Sequence, residues 1–205
     1  MNRCHTRNRI FSMADGLELE NRTSLPEHMR ELVKLFPRDG WATHPNFGAL
    51  TRFWLDRHGM FRELMTHLHN DARLMADKGM DPQTYARRLS RFGGLFVGQL
   101  HEHHTVEDHH YFPLLVAREK PLQAGFDLLD ADHHAIDEHL HAFTEEANAL
   151  LMSANQPEAS SAYGLAARFS QTLSGLDRML DRHLVDEEEI IVPVLLKHGE
   201  GSFGG

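Results

Sequence analysis

A histidine-rich stretch at residues 101–115, HEHHTVEDHHYFPLL, carries side chains that could bind a metal. Read as a helix, it places His103, Glu107 and His110 on one otherwise apolar side. An imidazole and a carboxylate one turn apart offer a nitrogen and an oxygen to the same point. We therefore interpret His103 and Glu107 as half of a buried metal site. His110 lies one turn further on and is expected to support the site rather than bind metal.

The same spacing recurs near the C-terminus, in residues 180–196, LDRHLVDEEEIIVPVLL. His183 and Glu187 lie 80 residues after His103 and Glu107, and a proline and a leucine follow at the same offset in both stretches. A fixed repeat of H-x3-E-x5-P-x-L is improbable by chance in a chain of 205 residues. It predicts two structurally equivalent helices that each contribute one histidine and one glutamate.

Four long amphipathic segments must position these motifs. Apolar residues recur at helical spacing, and no segment alternates as a half-buried strand would. The long helices are predicted at about residues 47–76, from 82 through the His103 and Glu107 stretch, at 122–151 and at 158–198. Short connections with proline or glycine join them. The pattern predicts an all-α fold, an up-down-up-down antiparallel four-helix bundle with a short N-terminal helix.

The remaining segments are predicted relative to this bundle. Residues 1–23 show no sustained period and are expected to form a disordered tail. Residues 24–40 are expected to hold a short helix, started by a capping box at Ser24, and a linker. The bundle itself would occupy residues 41–198, and the glycine-rich residues 199–205 would form a flexible tail.

Composition excludes several classes of function. A net charge of −9 argues against nucleic acid as a partner, because phosphate binding needs a basic face. No apolar run approaches the roughly 20 residues of a membrane span, and the basic N-terminus lacks the apolar core of a signal peptide. Cys4 is the single cysteine, so an internal disulfide is excluded and the cytoplasm is the expected compartment. Met13 could be the true start of the protein.

A histidine also lies in the middle of the apolar stripe of the first and third long helices, at His58 and His133. A lone histidine on such a stripe is more often a hydrogen-bonded core residue than a ligand. Four imidazoles and two carboxylates at the same height in the core favour metal binding instead, because each buried polar group without a partner would cost several kcal/mol. Metal coordination would satisfy them all. The predicted metal ligands are His58, His103, Glu107, His133, His183 and Glu187.

The chemistry of this set suits two metal ions. Each ion would take two imidazoles, and Glu107 and Glu187 could bridge the ions. Nitrogen and oxygen donors without a thiolate favour iron, manganese or zinc, and a bridged pair of iron ions is the first choice. Asp108, Asp186 and Glu188 flank predicted ligands and are expected to accept the spare ring N–H of coordinated histidines.

The other histidines are predicted to lie mostly on other faces of the helices, in contact with solvent. They include His104, which directly follows a predicted ligand. The acidic run at residues 187–189, apart from Glu187 itself, is likewise expected to form a solvated face.

These motifs resemble those of hemerythrin-like proteins of the HHE cation-binding family. The resemblance rests on HHTVED at residues 103–108, on HLVDEE at 183–188 and on the single histidines of the first and third helices, and it covers about residues 41–198. It implies a hemerythrin-like bundle that holds two iron ions bridged by oxo or hydroxo and carboxylate groups, with manganese or zinc as alternatives.

One position departs from the oxygen-carrying members of that family, which have H-x3-H on the third helix and five histidines in total. Here Asp137 stands four residues after His133. The exchange resembles histidine-poorer branches of the family, including iron-sensing and stress-related members. Asp137 could be a seventh ligand, an acceptor behind a ligand or a solvated residue.

Two hypotheses of different classes follow. The first is a non-haem di-iron protein that binds or reacts with a small ligand such as O2, NO or peroxide, because apolar walls around the site would exclude larger molecules. The second is a metal-dependent iron- or redox-sensing or partner-binding module without catalytic turnover. Iron–sulfur repair is disfavoured, because Cys4 in a short tail is a poor substitute for the cysteine-containing N-terminal domain of such relatives. A structural bundle with incidental histidines is the remaining interpretation. The sequence identifies no protein partner and leaves enzymatic turnover open.

Overall fold

The structure, a computed structural model, describes residues 16–156 and 160–203, and within these ranges it is helical without strands. The α-helices are α1 (Glu31–Leu35), α2 (Ala49–Ala76), α3 (Pro82–Val106), α4 (Phe112–Arg118), α5 (Gln123–Ala154) and α6 (Ser160–His198). Short 3-10 turns lie at Glu27–Met29, Arg38–Thr43, Lys120–Leu122 and Glu200–Ser202, and a π turn lies at Glu107–Tyr111. The predicted all-α class is confirmed. In the described part of the chain, no helix combines the length and apolarity needed to cross a membrane.

The four long helices form a closed ring of contacts. Helix α2 packs against α3 and α6, and α5 packs against the same two helices. Their apolar stripes meet in a shared core in which Phe61, Phe96 and Phe143 are almost completely buried. Burial of these stripes stabilises the helices, because isolated helices are only marginally stable in water. A buried histidine from each long helix interrupts the core: His58, His104, His133 and His183.

The long helices begin close to the predicted positions. Helix α3 starts at Pro82, whose missing N–H costs nothing in the first turn. Asp81 is its N-cap residue and accepts a hydrogen bond of 2.9 Å from the backbone N–H of Thr84. Residues 157–159, in the predicted connection between the third and fourth long helices, lie outside the described residues.

The N-terminal helix is shorter and starts later than predicted. A 3-10 turn begins at Glu27, with Pro26 at the N-cap position and no side-chain cap hydrogen bond. The predicted capping box at Ser24 is therefore wrong, because Ser24 lies too far before the first turn. The predicted linker is also ordered, since Arg38–Thr43 forms a 3-10 turn that buries Trp41.

The repeated H-x3-E-x5-P-x-L motif adopts two different backbone conformations. In the first copy, the helix widens into the π turn before α4 begins with Pro113 in its first turn. In the second copy, α6 continues through Pro193. Proline lacks an N–H and crowds the carbonyl four residues before it, so a helix must adapt around it. The prediction of equivalent helices is therefore wrong for the backbone that follows each glutamate.

Segments at both ends pack against the bundle rather than forming tails. Leu19 and Arg22 are buried, so residues 16–23 do not belong to a disordered tail. At the other end Phe203 is 2% exposed, and Glu200 accepts hydrogen bonds from backbone N–H groups at the start of α2. The flexible tail predicted for residues 199–205 is thus ordered as far as Phe203. Residues 1–15, which contain Cys4 and Met13, and residues 204–205 lie outside the described residues.

Candidate metal centre

Two groups of side chains converge in the core between the four long helices. The first group consists of His58, His103, Glu107 and Glu187, and the second group consists of His104, His133 and His183. Within each group the ligand-type atoms lie within 4.8 Å of one another. Each group therefore has donors and dimensions suited to one metal ion.

Glu107 faces both groups. Its Oε1 lies 3.0 Å from His103 Nε2 in the first group, and its Oε2 lies 3.6 Å from His133 Nε2 in the second group. It stands at the junction of α3 and the π turn, and π turns are often found at functional sites. A carboxylate with one oxygen toward each group is placed to bridge two ions.

Glu187 also contacts both groups, but through a single oxygen. Its Oε2 lies 3.4 Å from His58 Nε2 and 3.4 Å from His183 Nε2. Its other oxygen, Oε1, accepts a hydrogen bond from the indole N–H of Trp54. The indole therefore fixes the direction of this carboxylate and turns Oε2 toward the centre.

The polar atoms that face the centre have no hydrogen-bond partner. Eight buried atoms are involved, namely Nε2 of all five histidines, both oxygens of Glu107 and Oε2 of Glu187. An unpaired buried donor or acceptor costs about 1–3 kcal/mol, so such a concentration is a large destabilising term unless something compensates it. Nitrogens and oxygens that approach one another without hydrogen-bonding are arranged as ligands around a shared point. The residues present fit a metal centre.

Carboxylates behind three of the histidines orient the rings. Each accepts from, or faces, the Nδ1 atom, which leaves Nε2 directed at the centre. The pairs are His58 with Glu188 at 2.9 Å, His133 with Asp108 at 2.7 Å, and His183 with Asp132 at 3.4 Å. Asp108 and Glu188 were expected in this role. Asp132 was not, although it immediately precedes a predicted ligand.

A buried arginine neutralises the carboxylates behind the second group. Arg22 donates from Nη1 to Asp132 Oδ1 at 3.1 Å, from Nη2 to the other oxygen of Asp132, and from Nε to Asp186 Oδ2 at 2.8 Å. Its side chain is 1% exposed. Arg182 also donates to Asp186, at 2.5 Å. Asp186 therefore acts through arginines and not directly on a histidine.

Glu188, behind the first group, is compensated by more exposed arginines. Arg38 and Arg62 donate to its two oxygens at 2.6 and 2.9 Å, and their side chains are 48% and 35% exposed. Glu188 itself is 2% exposed, so the prediction that this part of the acidic run is solvated is wrong. Helix α6 is covered by both α2 and α5, so its carboxylates are removed from water. The arginines that pair with them offset the desolvation cost.

A family model described as the hemerythrin HHE cation binding domain matches residues 49–195. The chain belongs to the hemerythrin HHE family. The match begins with α2 and ends near the end of α6, and it therefore includes every residue of both groups. Searches among curated proteins and among solved structures found no match. Cation binding, as named in the family description, agrees with the unpaired histidine and glutamate atoms in the core of this HHE-family chain.

The pKa shifts of the buried side chains at the centre also agree with cation binding. Burial is the main reason why the pKa of His103 falls to about 3 and the pKa of His104 falls well below its usual range. Burial also raises the pKa of Glu107 well above its usual range, and neighbouring Glu187 adds to this. Burial would raise the pKa of Glu187 too, but nearby imidazoles led by His58 outweigh it and lower that pKa. Without a cation only one of the two glutamates is ionised readily, whereas metal ions between them would favour both carboxylates.

All six predicted ligands lie in the two groups. His58, His103, Glu107 and Glu187 share the first group, and His133 and His183 share the second. Asp137 is exposed, so of the three interpretations left open for it the structure agrees with a solvated residue. His110 is also exposed and lies edge-on to Tyr111, with ring centroids 4.8 Å apart. Neither residue belongs to a group.

His104 is the site residue that the sequence did not predict. It is 3% exposed rather than solvated, and its ring stacks on that of His133 with centroids 3.9 Å apart. Helix α3 packs against both α2 and α5, so its inward surface is wide enough for two consecutive residues. His103 turns toward His58 and His104 toward His133. In the sequence, only the adjacent pair of histidines, His103 and His104, indicated that this helix could contribute two of them to the centre.

A cavity of about 310 Å³ lies beside the first group. It is open to solvent on one side and is lined by Phe53, Trp54, Arg57, Gln99, Glu102, His103, Val106, Glu107 and Tyr111. A water molecule occupies roughly 30 Å³ in the liquid, so the cavity is several times larger than a diatomic ligand. The expectation that the walls exclude all but small ligands does not hold on this side.

Proposed function

We propose that this HHE-family chain is a non-haem di-iron protein that binds or reacts with a small ligand such as O2, NO or peroxide. The observation that carries the proposal is the set of eight unpaired buried atoms directed at one region of the core. Imidazole and carboxylate donors without thiolate suit iron, with manganese or zinc as the alternatives. The ring of contacts among the long helices also supports the up-down-up-down arrangement that we propose for the bundle.

The two groups supply different numbers of donors. The first group would hold one ion with two histidines and two glutamates, and the second would hold the other ion with three histidines and the facing oxygens of the same glutamates. Five imidazoles are present in total. This is the number expected of oxygen-carrying relatives, although the fifth comes from His104 on α3 and not from the third long helix.

The small ligand would approach the first group from the cavity, where His103 and Glu107 form part of the lining. Iron held there by His58, His103, Glu107 and Glu187 would supply redox chemistry. The chain's own residues orient the donors of the first group and cover the side of it that faces the core. Trp54 fixes Glu187 through its N–H, Glu188 fixes the ring of His58, and Phe61 covers the side away from solvent, with its ring 5.2 Å from that of His103.

Metal analysis of anaerobically purified protein tests the proposal. We expect about two iron ions per chain, and we expect new near-ultraviolet absorption when the reduced protein meets O2, NO or peroxide. His58→Ala should retain only the ion of the second group. A protein that is fully loaded with iron and shows no spectral response to any of these ligands would contradict reactivity. A protein with no bound iron, manganese or zinc would contradict the metal centre itself.

A second candidate function is a metal-dependent iron- or redox-sensing or partner-binding module without turnover. The observation that favours it is that the possible ligands come from all four long helices, α2, α3, α5 and α6. A bound metal would therefore link these helices and stabilise the bundle. Removing the metal should then lower the melting temperature strongly or change the oligomeric state. An unchanged melting curve and oligomeric state after chelation would exclude this function. The cytoplasm remains the proposed compartment, and no protein partner is assigned.

A further inference from the structure

The cavity beside the first group has the dimensions of a site for an organic molecule. Its volume of about 310 Å³ lies at the lower end of the range of roughly 300–1,000 Å³ found for small-molecule pockets. Neither O2 nor peroxide needs a space of this size. The question is therefore which kind of molecule matches its walls.

The walls are largely aromatic and apolar. Trp54 and Tyr111 meet edge to face, with ring centroids 5.1 Å apart, and both line the cavity. Phe53 and Val106 stand at the opening and are 58% and 44% exposed. Large apolar side chains that remain exposed around a concave site commonly mark a place where a ligand covers them.

Arg57 provides a cation among these apolar walls. Its side chain is partly buried, and its guanidinium lies 5.6 Å from the ring centre of Phe61 and 6.0 Å from that of Phe53. Its Nη1 donates to the side-chain oxygen of Gln99 at 2.8 Å, and its Nη2 donates to the backbone carbonyl of Gln99 at 3.5 Å. These two bonds use two of the five N–H donors of a guanidinium. The arginine is thus held in one position while keeping donors for a planar anion.

Glu102 limits the charge of the anion. It lines the same cavity and is held near Arg57 by Gln99, whose amide donates to Glu102 Oε2 at 3.0 Å. Arg57 can pair with one negative charge of a ligand, whereas the carboxylates of Glu102 and Glu107 in the same lining would repel a second charge.

From the cavity's size, aromatic walls and single fixed cation, we propose that it binds an aromatic monocarboxylate, with the carboxylate on Arg57 and the ring between Phe53, Trp54 and Tyr111. This site goes beyond the proposed reaction with a small diatomic or peroxide and does not depend on it. The organic acid would lie next to His103 and Glu107, at the opening through which the small ligand reaches the first group.

Benzoate is the probe, and the full-length zinc-loaded protein is the sample, because zinc is redox-inactive and does not colour the protein. We expect saturable binding in a calorimetric titration with a Kd of about 1 mM or tighter, equivalent to about −4 kcal/mol. Benzyl alcohol, its neutral counterpart, and phthalate, a dianion, should each bind at least tenfold more weakly. Indole fluorescence should change on binding, and Trp54→Phe should abolish that change while Trp41→Phe preserves it.

Arg57→Met should weaken benzoate binding at least tenfold and leave the affinity for benzyl alcohol unchanged. Arg52→Met is the matched control, since Arg52 is an exposed arginine on the same helix and does not line the cavity. If Arg57→Met disturbs folding, Val106→Phe provides a second test, because a larger side chain at the exposed opening should also reduce binding at least tenfold. Equal benzoate affinity in the parent and Arg57→Met proteins, or no saturable binding by the folded parent, would overturn the proposal. Both readouts use zinc-loaded protein, so a failure here is distinct from a failure of the iron chemistry.

Discussion

The two groups of the candidate metal centre each contain one histidine of the repeated motif, yet they differ in their other donors and in what surrounds them. The first group contains both glutamates and borders a solvent-accessible cavity. The second group contains three histidines and is closed by the N-terminal segment, whose Arg22 is buried against Asp132 and Asp186. The neighbouring segments therefore decide which group borders a cavity and which is closed. The difference places a cavity beside the first group and a buried network of ion pairs behind the second.

Each group is also held by a segment outside the predicted bundle. Residues 16–23 fix the carboxylate behind His183 in the second group. Glu200, near the C-terminus, binds the start of α2, the helix that carries His58 of the first group. Variants in each segment should thus affect one group more than the other.

The largest effect on metal affinity should come from Glu107→Ala, because this carboxylate faces a histidine of each group. We expect affinity for metal to fall more than 100-fold in both groups, which is about 2.7 kcal/mol for each ion. Metal content after gel filtration measures it, with the exposed Glu102→Ala on the same helix as the control. Loss of only one ion would contradict a role for Glu107 in both groups.

His104→Ala should weaken the second group by tenfold to 100-fold and leave the first group unchanged. His104 supplies one of three imidazoles there, and its Nε2 has no other partner in the described structure. Cobalt titration in competition with a coloured chelator measures the loss, and the exposed His101→Ala on the same helix is the control. Equal weakening in both groups would argue against the division of ligands described above.

Arg22→Met should act on the second group from a distance. Losing the partner of two buried carboxylates should lower the free energy of unfolding by about 3–5 kcal/mol. Loosening Asp132 behind His183 should also reduce metal affinity of the second group about tenfold to 100-fold. Arg62→Met, behind the first group, is the counterpart and should cost less, because Arg62 is more exposed and shares Glu188 with Arg38.

Measurement in a His58→Ala background, where only the second group is expected to bind metal, isolates the effect of Arg22→Met. A purely structural role for Arg22 would lower the melting temperature without changing the cobalt affinity. That outcome would show that the N-terminal segment stabilises the fold without affecting metal binding by the second group.

Glu200→Gln should have the smallest effect and should concern the first group. Burial would raise the pKa of Glu200, but hydrogen bonds from the backbone N–H groups of Thr51, Leu50 and Gly48 outweigh it and lower that pKa. A lowered folded-state pKa contributes stability above the unfolded value of about 4.3 and loses it as the pH falls through the folded value.

The difference in unfolding free energy between the parent and Glu200→Gln should therefore be about 1 kcal/mol at neutral pH and should shrink as the pH falls below about 4. Urea denaturation across this pH range measures it. Glu138→Gln serves as a control for the loss of one charge, because Glu138 is exposed in the middle of α5, away from any helix N-terminus. A difference that stayed constant with pH would show that Glu200 does not act as an ionised cap.

Sequence reasoning located much of the centre because its signals were local. The spacing of His103 and Glu107 on one helix, and its recurrence at His183 and Glu187, required only helical periodicity. Helix starts such as Asp81 followed by Pro82 were similarly readable from neighbouring residues. His104 was missed because a periodic pattern assigns each helix one inward direction, whereas α3 lies between two neighbours and has two.

By itself, the sequence determined the all-α class, the positions of the long helices and the six side chains first assigned to the metal, since each depends on residues within a few turns of one another. Only the tertiary structure decided how the donors divide into two groups, that Arg22 and Glu200 support different groups, and that a cavity opens beside the first. Several of these features join residues far apart in the chain, such as Arg22 with Asp132 at a separation of 110 positions and Thr51 with Glu200 at 149. Such contacts are fixed by how the helices pack and leave no periodic signal in the chain.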